Sequence, residues 1–152
     1  MDTTWVLVAD AARARIFAVD PRFRRLDELM TLIHSPSRVR ETDVFSDSRG
    51  RQSAAGDFGR VGGMPPRQDL HALEALRFAR EVSVTLERGL HDAAYHDLVV
   101  VAPPSFLGAL RRSLSQAVSE RVSHTIGKDY SRWTAHELRP LLKKRLAPDS
   151  AA

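Results

Sequence analysis

Residues 5–19, which read WVLVADAARARIFAV, decide the fold of this chain. The first five residues are a continuous apolar run, which predicts a buried central strand that ends before Asp10. From Arg13 to Val19 the segment begins with alternating polar and apolar residues and continues as an apolar run up to the turn signal Asp20-Pro21. A second strand is therefore predicted, paired antiparallel with the first.

Three further segments extend this predicted sheet. Leu26–His34 is predicted to be a third strand, ended by Ser35-Pro36. Residues 97–102, DLVVVA, are a second continuous apolar run, which is typical of a strand covered on both faces. Residues 122–127 predict a short fifth strand.

Helical periodicity begins after a long polar stretch. Apolar residues recur at steps of three and four from Leu76 to Leu90, which predicts a helix from Asp69 to about Arg88 with Gly89 as a left-handed cap. A second helix after Pro103-Pro104 directs Phe106, Leu107, Leu110 and Leu114 inward, and a weaker helical segment reaches about Glu120. The capping-box spacing of Thr134 and Glu137 predicts a last helix that ends near Leu146.

The predicted order is strand, strand, strand, helix, strand, helix, strand, helix. Three antiparallel strands followed by alternating helices and strands predict a mixed α/β sheet of the ribonuclease H-like type. We expect one domain over residues 1–146 and a frayed tail over residues 147–152.

Composition narrows the functional classes. The chain has 152 residues, a hydrophobic fraction of 43% and no cysteine, so disulfides, thiol nucleophiles and thiolate metal sites are excluded. No apolar run reaches the ~18 residues that a membrane span needs, and the N-terminus lacks the pattern of a secretory signal. We therefore expect a cytoplasmic protein without a cofactor.

The polar stretch from residue 36 to residue 69 is the first candidate for a functional site. It contains five of the eight glycines, among them Gly59, Gly62 and Gly63, and the arginines Arg38, Arg40, Arg49, Arg51, Arg60 and Arg67. Such a composition buries too little apolar surface to offset its ordering entropy, so we expect a mobile loop. The arginines favour an anionic partner such as RNA, although neighbouring acids also fit a solvated loop.

The last third of the chain is basic. From Pro103 onward the chain has nine Lys and Arg residues and four acids, a formal charge of +5. Residues 1–102 carry −1, which gives the formal net charge of +4 for the whole chain. This excess fits attraction to nucleic acid or to an acidic partner. It fits the solvated side of two helices equally well.

Catalytic patterns are incomplete. Asp10 ends the first strand, and Glu74 or Glu81 lies on the first helix, as in two-metal nucleases. The fourth strand, however, ends in Ala102-Pro103-Pro104 without a carboxylate. We therefore interpret Asp10 as a turn or capping residue, and the six histidines as isolated surface or boundary residues, since none forms a ligand pair.

Three blocks of sequence carry a family resemblance. They are residues 5–17 (WVLVADAARARIF), residues 77–81 (RFARE) and residues 98–108 (LVVVAPPSFLG), joined by the late Lys128-Asp129-Tyr130. With these blocks the chain resembles the bacterial host attachment proteins, "protein required for attachment to host cells". The resemblance implies a small domain whose attachment label describes a phenotype.

That family is similar in turn to the ribonuclease H-like middle domain of archaeal and eukaryotic class-I peptide-chain release factors. In those factors a Gly-Gly-Gln loop precedes the first helix and promotes peptidyl-tRNA hydrolysis. Here the glycine pair Gly62-Gly63 is followed by Met64, and Gln52 and Gln68 lack a preceding glycine pair. The resemblance therefore implies docking on RNA or the ribosome and transfers no catalytic glutamine.

The leading hypothesis is a non-enzymatic protein that binds RNA or the ribosome. Its phosphate-contacting residues would be Arg49, Arg51, Arg60 and Arg67, with Arg77 and Arg80 at the base of the first helix. The alternatives are a protein-interaction module and a metal-dependent hydrolase that uses Asp10 and a carboxylate of the first helix.

Overall fold

The computed structural model describes residues 3–34 and 67–146, which form one mixed α/β sheet with helices on both faces. Its strands are β1 (Thr4–Ala9), β2 (Arg13–Val19), β3 (Leu26–Ile33), β4 (Asp97–Val101) and β5 (Val122–Ile126). Its helices are α1 (Arg67–His91), α2 (Pro104–Ser113), α3 (Gln116–Ser119) and α4 (Ala135–Leu146). The α/β class predicted from the sequence is confirmed.

The five strands are ordered β3-β2-β1-β4-β5. β1 pairs antiparallel with β2, as predicted, and parallel with β4, which in turn pairs parallel with β5. β3 pairs antiparallel with β2 and, among the described residues, forms one lateral edge of the sheet. Since β1, β4 and β5 run in one direction, their last residues share one end of the sheet, which we call the carboxyl end.

Each face of the sheet has its own apolar core. Trp5, Leu7 and Ala9 pack against α1, α2 and α3, whereas Val6 and Val8 pack on the other face against α4. β1 is therefore buried on both faces, which explains its continuous apolar run.

Helix α1 is longer at both ends than the periodicity predicts. It begins at Arg67, so residues 67–69 of the expected loop are helical, and it continues through Gly89 to His91. The interpretation of Gly89 as a left-handed cap was wrong. A Cβ atom at Gly89 would lie 2.5 Å from Cη2 of Trp5, so this glycine allows the indole ring to approach the helix. Ala93, with a φ of 56°, takes the left-handed conformation instead.

Tyr95 closes the core beneath the C-terminal end of α1. Its ring lies 4.7 Å from that of Trp5, and its hydroxyl donates a 2.7 Å hydrogen bond to the carbonyl oxygen of Leu86. Burial raises the pKa of Tyr95 to about 12.

The predicted capping box of the last helix is present. The backbone N–H of Thr134 donates to Oε1 of Glu137 at 2.8 Å, and the N–H of Glu137 donates to Oγ1 of Thr134 at 3.1 Å. The weak helical segment before β5 is the separate short helix α3, whose N-cap Ser115 accepts a hydrogen bond from the N–H of Val118.

The ribonuclease H-like classification stays a prediction. The expected loop up to residue 66 and the expected frayed tail over residues 147–152 lie outside the described residues. Within residues 3–34 and 67–146, no helix is long and apolar enough to cross a membrane.

Candidate functional site

The carboxyl end of the sheet gathers several polar side chains. Asp10 follows β1 directly, and His34 follows β3, whose end lies beside the start of β2 in the antiparallel ladder. The N-termini of α1, α2 and α4 lie at the same end, because each of these helices follows a strand that runs toward it. The sequence segment 35–66, which connects His34 to α1, lies outside the described residues.

On the face of α4, Asp10 is joined to the segment after β5. Its Oδ1 accepts the backbone N–H groups of Ala12 and Arg13, both at 2.8 Å. Its Oδ2 accepts a 2.7 Å hydrogen bond from the hydroxyl of Ser131. The interpretation of Asp10 as a turn residue is confirmed, and Asp10 also links two segments that are distant in sequence.

Ser131 is only 2% exposed and lies between two carboxylates. Its hydroxyl is 2.7 Å from Oδ2 of Asp10 and 2.6 Å from Oδ1 of Asp129, and it has one proton to donate at a time. Hydrogen bonds from the hydroxyl and the backbone N–H of Ser131 lower the pKa of Asp129. Sequence reasoning missed Ser131, although the Asp-x-Ser spacing, typical of an Asx turn, was a usable signal.

Arg15 fastens the same segment to β2 and β3. Its guanidinium donates hydrogen bonds to the carbonyl oxygens of Ser131 and Trp133 and to Oε1 of Glu28 at 3.2 Å. It also lies 4.9 Å from the centre of the Phe17 ring. Because both terminal nitrogens of the guanidinium are engaged and the side chain is only 13% exposed, Arg15 stabilises the fold and is poorly placed to bind a ligand.

On the opposite face, His34 contacts α1. Its Nε2 lies 2.8 Å from Oε1 of Glu74, and its Nδ1 lies 3.7 Å from Oε2 of Glu81. The centre of its ring lies 5.2 Å from that of Phe78, and the two ring planes are tilted by 39°. The interpretation of all six histidines as isolated surface or boundary residues was wrong for His34, which is buried. The spacing of seven residues between Glu74 and Glu81 brings both carboxylates to one side of α1.

The carboxylates considered for a hydrolase have different partners. Asp10 contacts Ser131 on the face of α4, whereas Glu74 and Glu81 contact His34 on the face of α1. In the part of the chain that the structure describes, no group of three His, Cys, Asp or Glu side chains is arranged to hold a metal ion.

A stripe of exposed residues follows the outward side of α1, and we call it the outer α1 face. Its members recur at steps of three and four along the helix: Leu70, Leu73, Arg77, Arg80 and Val84. Val84 is 56% exposed and Leu73 is 46% exposed, so the stripe combines two cations with apolar side chains. Arg77 keeps one long contact, 3.4 Å, to Oε2 of Glu74.

Only part of the sequence-predicted site can be located. Arg77 and Arg80 are exposed on the outer α1 face, and the backbone of Arg67 begins α1. The remaining predicted residues lie outside the described residues: Arg49, Arg51, Arg60, Gly59, Gly62 and Gly63.

The basic residues of the last third are divided between the two faces. Arg111 and Arg112 lie in the last turn of α2, on the face of α1, and Lys143, Lys144 and Arg145 lie in the last turn of α4, on the other face. Cations in the last turn of a helix interact favourably with its dipole. Their positions therefore fit the interpretation as solvated helix surfaces.

Fold and site together define an α/β domain with a polar carboxyl end and a mixed basic and apolar helix face. A protein-family model described as "Protein required for attachment to host cells" matches residues 5–142, and the chain belongs to this family. No curated protein matches the chain.

Proposed function

We propose that this host attachment family protein is a non-enzymatic RNA-binding domain of the cytoplasm, with ribosomal RNA as its target. Its contact surface would consist of the Gly- and Arg-rich segment before α1 and the outer α1 face. The observation that carries the proposal is that Arg77 and Arg80 are both exposed on this face, in the helix that directly follows the arginine-rich segment.

Arg77 is free enough to exchange its partner for a phosphate. Its 3.4 Å contact to Glu74 is long, and an exposed ion pair of this kind stabilises a protein by only about 0–1 kcal/mol. A guanidinium forms stronger, charge-assisted hydrogen bonds with a phosphate. In the proposal, Arg49, Arg51, Arg60 and Arg67 supply further phosphate contacts from the neighbouring segment.

The test is co-sedimentation of the full chain with ribosomes from its own cell lysate, at low and high salt, with and without nuclease. Salt-sensitive association that the double variant Arg77→Ala/Arg80→Ala weakens is the expected result. Replacing Arg49, Arg51 and Arg60 with alanine should weaken it as well. The matched control is Arg111→Ala/Arg112→Ala, which removes two exposed arginines from α2 and should leave association unchanged.

The proposal would be contradicted if the chain were absent from every ribosomal fraction. It would also be contradicted if both double variants lost association with ribosomes to the same extent. The same experiment separates the RNA contact from general attraction by charge, because both double variants lower the net charge by the same amount.

A protein partner is the second candidate, and one observation favours it. Leu70, Leu73 and Val84 are exposed apolar side chains on the same outer α1 face. Apolar side chains on one helix stripe are the usual anchors when a helix binds a partner protein. Binding that survives nuclease treatment and is lost in Leu73→Ser/Val84→Ser, but not in Arg77→Ala/Arg80→Ala, would establish this function instead.

A further inference from the structure

Strand β3 exposes an apolar surface at one lateral edge of the sheet. Three of its eight residues are exposed large hydrophobic side chains: Leu29, Met30 and Ile33. β5, at the other edge, exposes the polar residues Ser123, His124 and Thr125. The two edges therefore differ in chemistry, and only the β3 edge has the composition of a protein interface.

The outward backbone groups of β3 lack a neighbouring strand among the described residues. The N–H of His34 donates to the carbonyl oxygen of Ala12, on the β2 side. Since successive residues of a strand direct their N–H and C=O groups to opposite sides, those of Ile33 and Thr31 point away from β2. They are positioned to hydrogen-bond another strand.

β3 lacks two of the usual protections of an edge strand. Residues 26–33 contain no proline and no lysine. The two acids are already neutralised within the chain, because Asp27 lies 3.3 Å from Arg25 and Glu28 lies 3.2 Å from Arg15. The one irregularity is a bulge that leaves Leu29 without a partner on β2.

The sequence of β3 is self-complementary about Thr31. The two most exposed apolar residues of the strand, Ile33 at 62% and Leu29 at 46%, lie two positions on either side of it. A two-fold axis through Thr31 in an antiparallel pair places Leu29 of each copy opposite Ile33 of the other. Such an isologous contact closes after two copies and pairs apolar side chains on both sides of the axis.

We propose that the chain forms a homodimer through antiparallel pairing of β3 with β3 of a second copy, centred on Thr31. The two sheets then become one continuous sheet of ten strands. The outward N–H and C=O groups of Thr31 are satisfied by those of its equivalent, and Leu29 and Ile33 are covered.

A disulfide test is well suited to this chain because it contains no cysteine. In Thr31→Cys the two new sulfhydryls would face each other across the axis. The Cα atoms of a hydrogen-bonded antiparallel pair are about 5.5 Å apart, which is within the range that a disulfide spans. Rapid, near-complete formation of a disulfide-linked dimer is expected under mild oxidation, whereas the control Val84→Cys, on the exposed side of α1, should crosslink slowly.

Sedimentation equilibrium of the full chain provides the second measurement. The wild type should be dimeric, and Ile33→Asp should raise the dimer dissociation constant by roughly a hundredfold or more, because symmetry removes the contact twice. The control Thr125→Asp introduces the same charge at an exposed position of β5, the other edge strand, and should leave the dissociation constant unchanged. Circular dichroism of each variant verifies that the fold is retained.

A wild type that stays monomeric at high concentration would overturn the proposal, and β3 would then be covered by another segment of the chain or by an extended peptide. A dimer that Ile33→Asp leaves intact would overturn it as well. Equal crosslinking rates at positions 31 and 84 would show that the disulfides form by random collision and would likewise contradict it.

Discussion

Gly89 provides a sharp test of how α1 packs against the sheet. It lies inside a helix, where replacing glycine with alanine ordinarily stabilises a protein by about 1 kcal/mol. The structure predicts the opposite result for Gly89→Ala. The new Cβ would lie 2.5 Å from Cη2 and 2.6 Å from Cζ3 of Trp5, and 3.2 Å from Cε1 of Tyr95.

The magnitude follows from these distances. Carbon atoms pack at about 3.5–4.0 Å, so the overlap with the indole ring is about 1 Å and must be relieved by moving a buried ring. Overpacking of this kind costs about 1–3 kcal/mol. The overlap of about 1 Å with a buried ring places Gly89→Ala at the upper end of this range, so after the gain of about 1 kcal/mol in helix propensity we expect a net loss of about 2 kcal/mol in the free energy of unfolding. For a domain of this size that is a fall of about 4–8 °C in Tm.

Gly108→Ala in α2 is the matched control, because among the described residues nothing beyond its chain neighbours and its own helix backbone lies within 4 Å of the position that its Cβ would take. This variant should gain about 0.5–1 kcal/mol, so the two substitutions should differ by about 3 kcal/mol in urea unfolding followed by circular dichroism. Trp5→Phe should reduce the cost of Gly89→Ala in a double-mutant cycle, because the smaller ring leaves room for the methyl group. A Gly89→Ala variant as stable as the wild type would refute the close packing of Trp5 on α1.

Two further predictions concern the ends of the sheet. Ser131→Ala should lower the free energy of unfolding by about 1–2 kcal/mol, because it removes the donor that the carboxylates of Asp10 and Asp129 share. The exposed control Ser123→Ala should stay within about 0.5 kcal/mol of the wild type in the same urea titration. Backbone hydrogen bonds, the largest from Arg25, lower the pKa of Asp20 below 3.8, so its carboxylate stabilises the folded chain above that pH and loses this contribution as the pH falls. Thermal unfolding of Asp20→Asn between pH 5 and pH 2 should therefore depend less on pH than that of the wild type, and an unchanged pH dependence would contradict the assignment.

The sheet was predictable because its signals are local. The apolar runs at residues 5–9 and 97–102 and the partly alternating segment at residues 13–19 lie on three adjacent strands, in the predicted mixed arrangement. Capping by Thr134 and Glu137 is equally local, and the structure confirms it.

The predictions from the sequence were wrong where a residue that is distant in sequence determines the local structure. Glycine is common after helices, which favours a cap at Gly89, but the approach of Trp5 explains this residue. The sequence shows no ligand pair for His34 and so indicates a surface or boundary residue, yet Glu74 and Glu81 reach it from a helix that begins more than thirty residues later. Ser131 contacts Asp10 across 121 positions, which no sequence spacing shows.

The candidate site was predictable only in part. Arg77 and Arg80, two of the contact residues that the sequence suggests, are exposed on α1. Only the structure shows that the same face also carries Leu70, Leu73 and Val84. From the sequence, apolar residues at three-residue spacing ordinarily predict burial.

The central claim, that the outer α1 face contacts RNA, is tested most directly by the salt dependence of binding to protein-free ribosomal RNA. We expect log K for the wild type to fall linearly with log salt, and Arg77→Ala/Arg80→Ala to reduce that slope by about 1.4–1.8, which corresponds to two lost phosphate contacts. The control Arg111→Ala/Arg112→Ala should keep the wild-type slope. An unchanged slope and affinity in the α1 variant would contradict the account.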